Sequence, residues 1–218
     1  MSFLAADMVG GAGEVVGVDR APEAIERANE RARAASRPNV SFVEGDPGDM
    51  TFAQPFDALI GRYVLMFQPD PALMLRRMAA HVRPCGVVVF HEIDWGGVES
   101  IPPIPTFDRC CEWNVDTLRR RGAETRMIGV LSPMFDAAGL PPPSLHVERL
   151  VGGGAMRSDL LRWMADATLS LLPEMESVGV ASAAEVEPET LLARMMEEGE
   201  ATDSVILSHG QVGSWSRI

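Results

Sequence analysis

No stretch of the 218-residue chain approaches the roughly 20 consecutive apolar residues that a membrane span needs. The N-terminus, Met-Ser-Phe-Leu-Ala-Ala-Asp, has no basic residue ahead of its short apolar stretch, so no secretory leader is expected there. Cysteine is scarce. Cys85, Cys110 and Cys111 cannot build a disulfide framework and have no metal-ligand spacing, which fits a reducing cytoplasm and no resident metal. Positive charge is short as well. With 19 basic against 31 acidic side chains the formal charge is −12. That field repels phosphate backbones and anionic lipid, so nucleic acid and membranes are poor partners.

What remains is an ordinary globular composition, 46% apolar and 23% charged. The length suits one α/β domain with a lid, and leaves little room for a second core. Short β-type runs alternate with helical runs over the first two-thirds, the pattern of a parallel sheet with crossover helices. Strands are expected at Glu14–Val18, Val40–Glu44, Phe56–Ile60 and Val87–Ile93, with helices at Glu23–Ala35 and from Pro71 to about Val82. Arg83-Pro84-Cys85-Gly86 reads as a turn. Beyond the proline-rich stretch Ile101–Pro105 the helices are expected at Thr106–Arg121, Ile128–Ala138, Ser158–Leu172 and Pro188–Glu200. Closing strands are expected at Leu145–Val151, Ser204–Ser208 and Val212–Ser216. Residues 1–95 then form the core, 96–139 and 155–203 a helical lid, and 140–154 and 204–218 the closing strands. Nine acidic side chains and one arginine between Glu174 and Asp203 read as a solvated face.

An acid at the end of a strand that leads into a crossover helix can accept hydrogen bonds from both hydroxyls of a ribose. Asp19 closes Val15-Val16-Gly17-Val18-Asp19 in that way, although a helix-capping role suits it equally. Asp46, in Ser41-Phe42-Val43-Glu44-Gly45-Asp46, repeats the arrangement one strand later.

These segments, followed by Phe56-Asp57-Ala58-Leu59-Ile60-Gly61-Arg62 and Arg83-Pro84-Cys85-Gly86-Val87-Val88-Val89, resemble consecutive core motifs of the class I S-adenosylmethionine-dependent methyltransferases. The resemblance covers about residues 1–95 and extends to the closing segments Val205–Ser208 and Gln211–Trp215. It implies a Rossmann-like α/β fold, mostly parallel with an antiparallel last strand, and S-adenosyl-L-methionine as cofactor. It also implies roles: Asp19 on the ribose, Arg20 beside the adenine, Gly45 and Asp46 near the adenine amino group, and Pro47 packed on the ring. Gly61, Arg62 and Tyr63 would lie beside the methionine end. Cys85 stands where the family usually has a second glycine, so an altered turn is expected. The largest departure is an absence. In the family a first strand and a Gly-x-Gly loop precede the ribose acid by about 20 residues, and Asp19 has 18 residues before it. Gly10-Gly11-Ala12-Gly13 precedes a strand and reads as the exit from a first helix; Gly152-Gly153-Gly154 reads as a turn or hinge. The resemblance therefore implies an internal start, a longer gene product, and two strand edges that stay unpaired unless they meet each other or another chain. A homodimer is compatible with that arrangement.

Methyl transfer to oxygen calls for a base near the acceptor. His91 and Asp94, at the end of the strand from Val87, are the candidates, with a buried structural histidine as the alternative for His91. Trp95, Phe107, Trp113 and Trp163 suggest a small apolar or aromatic acceptor. Cys110-Cys111 reads as buried helix surface, and the later methionines as adaptable packing. The competing function is a methyltransferase-like protein that does not bind cofactor and acts through protein interactions. A nicotinamide-dependent dehydrogenase is disfavoured by the second acid, Asp46.

Overall fold

The computed structural model describes residues 1–218. The chain opens with α1 (Ser2–Val9), β1 (Val15–Asp19), α2 (Pro22–Ala34) and β2 (Val40–Glu44). Pro22 and Glu23 suit the first turn of α2, and Arg31 and Arg33 its last, in accord with the helix dipole. β3 (Phe56–Arg62) follows, then a short 3-10 turn (Leu65–Phe67), α3 (Pro71–Ala79) and the long β4 (Val82–Asp94). Asp70 caps α3 by accepting from the Leu73 amide at 2.9 Å.

The remaining elements are β5 (Glu99–Ile101), α4 (Pro105–Arg120), α5 (Met127–Ala137), β6 (Ser144–Glu148), β7 (Val151–Gly152), α6 (Gly154–Ser177), α7 (Ala183–Val186), α8 (Leu191–Thr202), β8 (Val205–Leu207) and β9 (Gly210–Arg217). No helix is long and apolar enough to cross a membrane.

The strands do not form the single sheet expected from the sequence. β1 and β2 pair in parallel as a two-stranded sheet of their own, while β3-β4-β9-β6 forms a second sheet. In the latter β3 and β4 are parallel, and β9 is antiparallel to both β4 and β6. The break has a simple cause: no strand of residues 1–218 lies between β1 and β3. Nor are the edges buried and unsatisfied. Ala58 and Ile60 are exposed on β3, so the expected penalty of roughly 1–3 kcal/mol per buried orphan group gives way to lost apolar burial.

A third, antiparallel sheet, β5-β8-β7, was not expected at all. It takes Ser204–Ser208 away from the closing sheet, and it divides the expected strand Leu145–Val151 into β6 and β7.

One cluster of 32 buried apolar residues forms the core, and every member lies at or beyond Leu65. Among residues 1–50 only Ala6, Ala32 and Val40 are buried. The β1–β2 unit is held to the rest by polar ties, notably Arg77 to Asp49 at 2.6 Å. In the lid, α4 packs on α6 through buried Asn114 and Thr168, which share a 3.1 Å hydrogen bond. The acidic stretch is largely exposed as expected, except that Glu198 of α8 accepts from the Thr106 amide and hydroxyl at the start of α4.

Candidate functional site

In a parallel sheet, ligands collect at the carboxyl ends of the strands. β1 ends at Asp19 and β2 at Glu44, in direct register, and the Gly45 amide donates to the Asp19 carbonyl at 3.0 Å. The Asp19 carboxylate is exposed; one oxygen accepts from the Ala21 amide at 2.9 Å and the other is free. Asp46 accepts from the Gly48 amide at 2.9 Å with one oxygen and from Arg20 at 2.6 Å with the other. Pro47 continues this turn. Asp19, Arg20, Gly45, Asp46 and Pro47 are thus gathered on one edge.

The second group sits at the ends of β3 and β4. Gly61 is buried because the Phe90 ring lies where its Cβ would stand. Arg62 and His91 are register partners, and the row continues through Gly213 to His146 across all four strands. Tyr63 takes a φ of 54°, the left-handed region that few non-glycine residues adopt. This conformation stacks its ring on His91 at 5.7 Å and under the Arg62 guanidinium at 4.6 Å. The Tyr63 hydroxyl donates to Gln211 Oε1 at 2.7 Å. Burial, with help from Arg62 and against the pull of Glu148, holds His91 below the usual imidazole range, so its ring is neutral at neutral pH.

Arg20 joins the two groups: besides Asp46 it donates to Gln68 Oε1 at 3.4 Å, and Gln68 donates in turn to the Val64 carbonyl at 3.1 Å.

Asp94 stands apart. Its carboxylate is 1% exposed. It accepts from the Gly96 amide at 2.8 Å and the Ile128 amide at 2.9 Å, with Arg126 and Arg149 each 4.0 Å away. One oxygen therefore fastens the end of β4 to the start of α5, and the other holds the turn at Gly96.

Glu92, fully buried, does similar work for the 3-10 turn. It accepts from the amides of Val64 and Leu65 at 3.0 Å and of Met66 at 3.4 Å. Burial pushes its carboxyl upward while those amides oppose the shift. Glu92 and Gln211 were not among the expected site residues. A carboxylate on the covered face of an apolar strand was a usable signal for Glu92, whereas Gln211 needs the β4–β9 register.

Cys110 and Cys111 are held as thiols. Burial pushes the Cys110 thiol up to about 11, and that of Cys111 higher still. No group of three or more His, Cys, Asp or Glu is arranged to hold a metal ion. A groove of about 730 Å³ lies along α2 between Glu26 and Val40, away from both groups.

Residues 1–120 match the family described as "Methyltransferase domain". The chain belongs to this methyltransferase family. It is 29% identical over 173 residues to the arsenite methyltransferase of Halobacterium salinarum, covering 77% of this chain and 42% of that protein. Over 89 residues it is 36% identical to the aklanonic acid methyltransferase DauC of a Streptomyces species, covering 40% of each. The chain thus spans about two-fifths of the length of these curated relatives. Among solved structures, phosphoethanolamine N-methyltransferase 2 of Haemonchus contortus, in complex with phosphomonomethylethanolamine and S-adenosylhomocysteine, aligns with a TM-score of 0.53 at 15% identity. The alignment covers 94% of this chain and 44% of that one. The fold of this chain is therefore Rossmann-like, with the β4–β9 pair supplying the antiparallel last strand.

Proposed function

We propose that this chain is an S-adenosylmethionine-dependent methyltransferase of the cytoplasm that acts on a small-molecule acceptor. The observation that carries the reading is the pair of acids, Asp19 and Asp46, at the carboxyl ends of adjacent parallel strands. The free oxygen of Asp19 suits a ribose hydroxyl, and Asp46 and Pro47 suit the adenine beside it. These residues fit the nucleoside end of the cofactor. Gly61, Arg62 and Tyr63 are proposed for the methionine end, next to the interval between β1 and β3. When bound, the cofactor supplies an electrophilic methyl group on sulfur. His91, neutral and stacked on Tyr63, can receive a proton from an acceptor, whereas Asp94 acts as a positioning residue because both its oxygens are engaged.

The relatives named above act on arsenite and on aklanonic acid. The paired aromatic rings of Trp95 and Trp163 at the end of β4 favour an organic acceptor. The second reading is a methyltransferase-like protein that has no cofactor and works through protein contacts; the unfilled interval between β1 and β3 favours it.

Titration calorimetry with S-adenosylmethionine separates the two readings. Asp19→Ala removes charge-assisted hydrogen bonds worth roughly 1.5–3 kcal/mol, a loss of about one to two orders of magnitude in affinity. No binding by the unsubstituted chain or by one carrying an added N-terminal strand favours the interaction reading. Binding that Asp19→Ala leaves untouched reduces Asp19 to a turn-forming residue.

A further inference from the structure

We propose that Trp95, Trp163 and His209 form a recognition subsite for a planar aromatic acceptor that carries a hydroxyl group. This rests on the methyltransferase reading and names the substrate class of the same site. The three side chains come from three elements and meet at one place. Trp95 directly follows the last residue of β4, and its amide donates to the Thr125 carbonyl at 3.0 Å. His209 lies between β8 and β9, beside the terminal register pair Asp94–Gly210. Trp163 arrives from α6. The cluster therefore stands at the carboxyl end of the parallel strands, where acceptors are handled in such sheets.

The rings form one aromatic cluster that holds two unpartnered ring nitrogens. Trp163 stacks on His209 at 4.2 Å and lies 5.9 Å from Trp95. Trp95 is 8% exposed, while Trp163 is 37% exposed, so the cluster is open on the Trp163 side. Two ring nitrogens of the cluster, Trp95 Nε1 and His209 Nδ1, are buried with no hydrogen-bond partner. Such groups are costly to bury unpaired, and both sit within one cluster. Indole N–H can only donate. His209 is neutral at neutral pH because burial, reinforced by Arg149, lowers its pKa to about 4. Its Nδ1 can therefore accept. The two rings pack with their centroids 6.1 Å apart, so both unpartnered nitrogens belong to one cluster. A group that accepts from one partner and donates to the other is a hydroxyl. Arg149 fixes the surroundings, donating to the Gly97 carbonyl at 2.8 Å and also to that of Gly96.

Ligand-observed NMR titrations with 1-naphthol, 1-methoxynaphthalene and naphthalene test this directly, without cofactor. The expected result is that 1-naphthol binds on the order of tenfold more tightly than either analogue. Trp95→Phe, which keeps a ring but removes the N–H, should abolish that preference while leaving naphthalene affinity unchanged. Trp163→Ala should weaken all three probes about tenfold or more. Thermal melts confirm that each variant is folded. Because the comparison is between probes on one variant, a partly destabilised protein still reports.

Equal affinity for the three probes, or no binding, overturns the subsite. So does a crystal structure in which an ordered water stays between the two nitrogens with 1-naphthol present. S-adenosylmethionine affinity, measured on the same preparation, keeps the two readings apart: its absence refutes the cofactor reading alone, and an absent naphthol preference refutes the subsite alone.

Discussion

Cys85 has a φ of 66°, the conformation glycine takes without cost. The Arg83–Gly86 segment expected as a turn runs within β4 instead, where the pairing with β3 shifts register, and the cysteine bears the strain. Its amide is held by the Ile218 carbonyl at 2.5 Å, and Arg217 donates to its own carbonyl at 3.2 Å. A left-handed non-glycine residue costs roughly 1–2 kcal/mol, offset in part by the greater chain entropy of glycine in the unfolded state. Cys85→Gly should therefore raise stability by about 0.5–1 kcal/mol, seen as a higher urea midpoint with an unchanged slope.

His209 gives a pH signature of known sign. Its folded pKa of about 4 lies below the unfolded value of 6.5. Its contribution is therefore present above about pH 6.5 and lost as pH falls toward 4, as the unfolded chain takes up the proton first. Discounted for partial exposure, the loss is roughly 2 kcal/mol. Glu92 and Asp108 are shifted upward and oppose this trend. The difference between wild type and His209→Asn isolates it, and a flat difference from pH 7 to 4.5 refutes the assignment.

The elements show which features a sequence carries locally. β1, β2, β3 and α2 were legible because strand ends, Pro22 and the acid-ended turns are signals within a few residues. β5 and β7, of three and two residues, were not, and β8, legible as a strand at Ser204–Ser208, was not legible as the partner that holds them. The division between β6 and β7 likewise depends on Arg149, whose side chain turns to the Gly96 and Gly97 carbonyls while the chain crosses between sheets.

Asp94 shows the same limit at the site. Its place at the end of a strand suggested chemistry, but its partner Ile128 is 34 residues away, on a helix whose docking the sequence does not reveal. Asp94→Ala would leave the Gly96 and Ile128 amides without their acceptor and loosen α5 from β4. A loss of roughly 2–4 kcal/mol is expected. At 218 residues that corresponds to a drop of about 4–16 °C in melting temperature, with increased amide exchange at the start of α5. An unchanged melting temperature would remove Asp94 from this structural role.

At the scale of the whole molecule the deciding feature is the interval between β1 and β3. Each strand has one paired edge, β1 to β2 and β3 to β4, and no partner on the other. Ile60, on β3 beside that interval, is a side chain a sheet interior would cover, yet it is 43% exposed. The polar chain Asp46–Arg20–Gln68 is what spans the two halves near the carboxyl edge. A strand placed between β1 and β3 would pair both open edges and bury apolar surface at about 25 cal/mol per Å². Its carboxyl end would bring backbone to the floor of the proposed methionine site. Fusing a strand and a Gly-x-Gly turn ahead of residue 1 should therefore raise the urea midpoint and slow amide exchange along β1 and β3. It should also tighten S-adenosylmethionine binding by at least tenfold relative to residues 1–218. Stability and affinity should rise together, because one segment serves both. If the fusion changes neither amide exchange in β1 and β3 nor cofactor affinity, the interval does not accept a strand, and residues 1–218 must bind the methionine end with the groups they already contain.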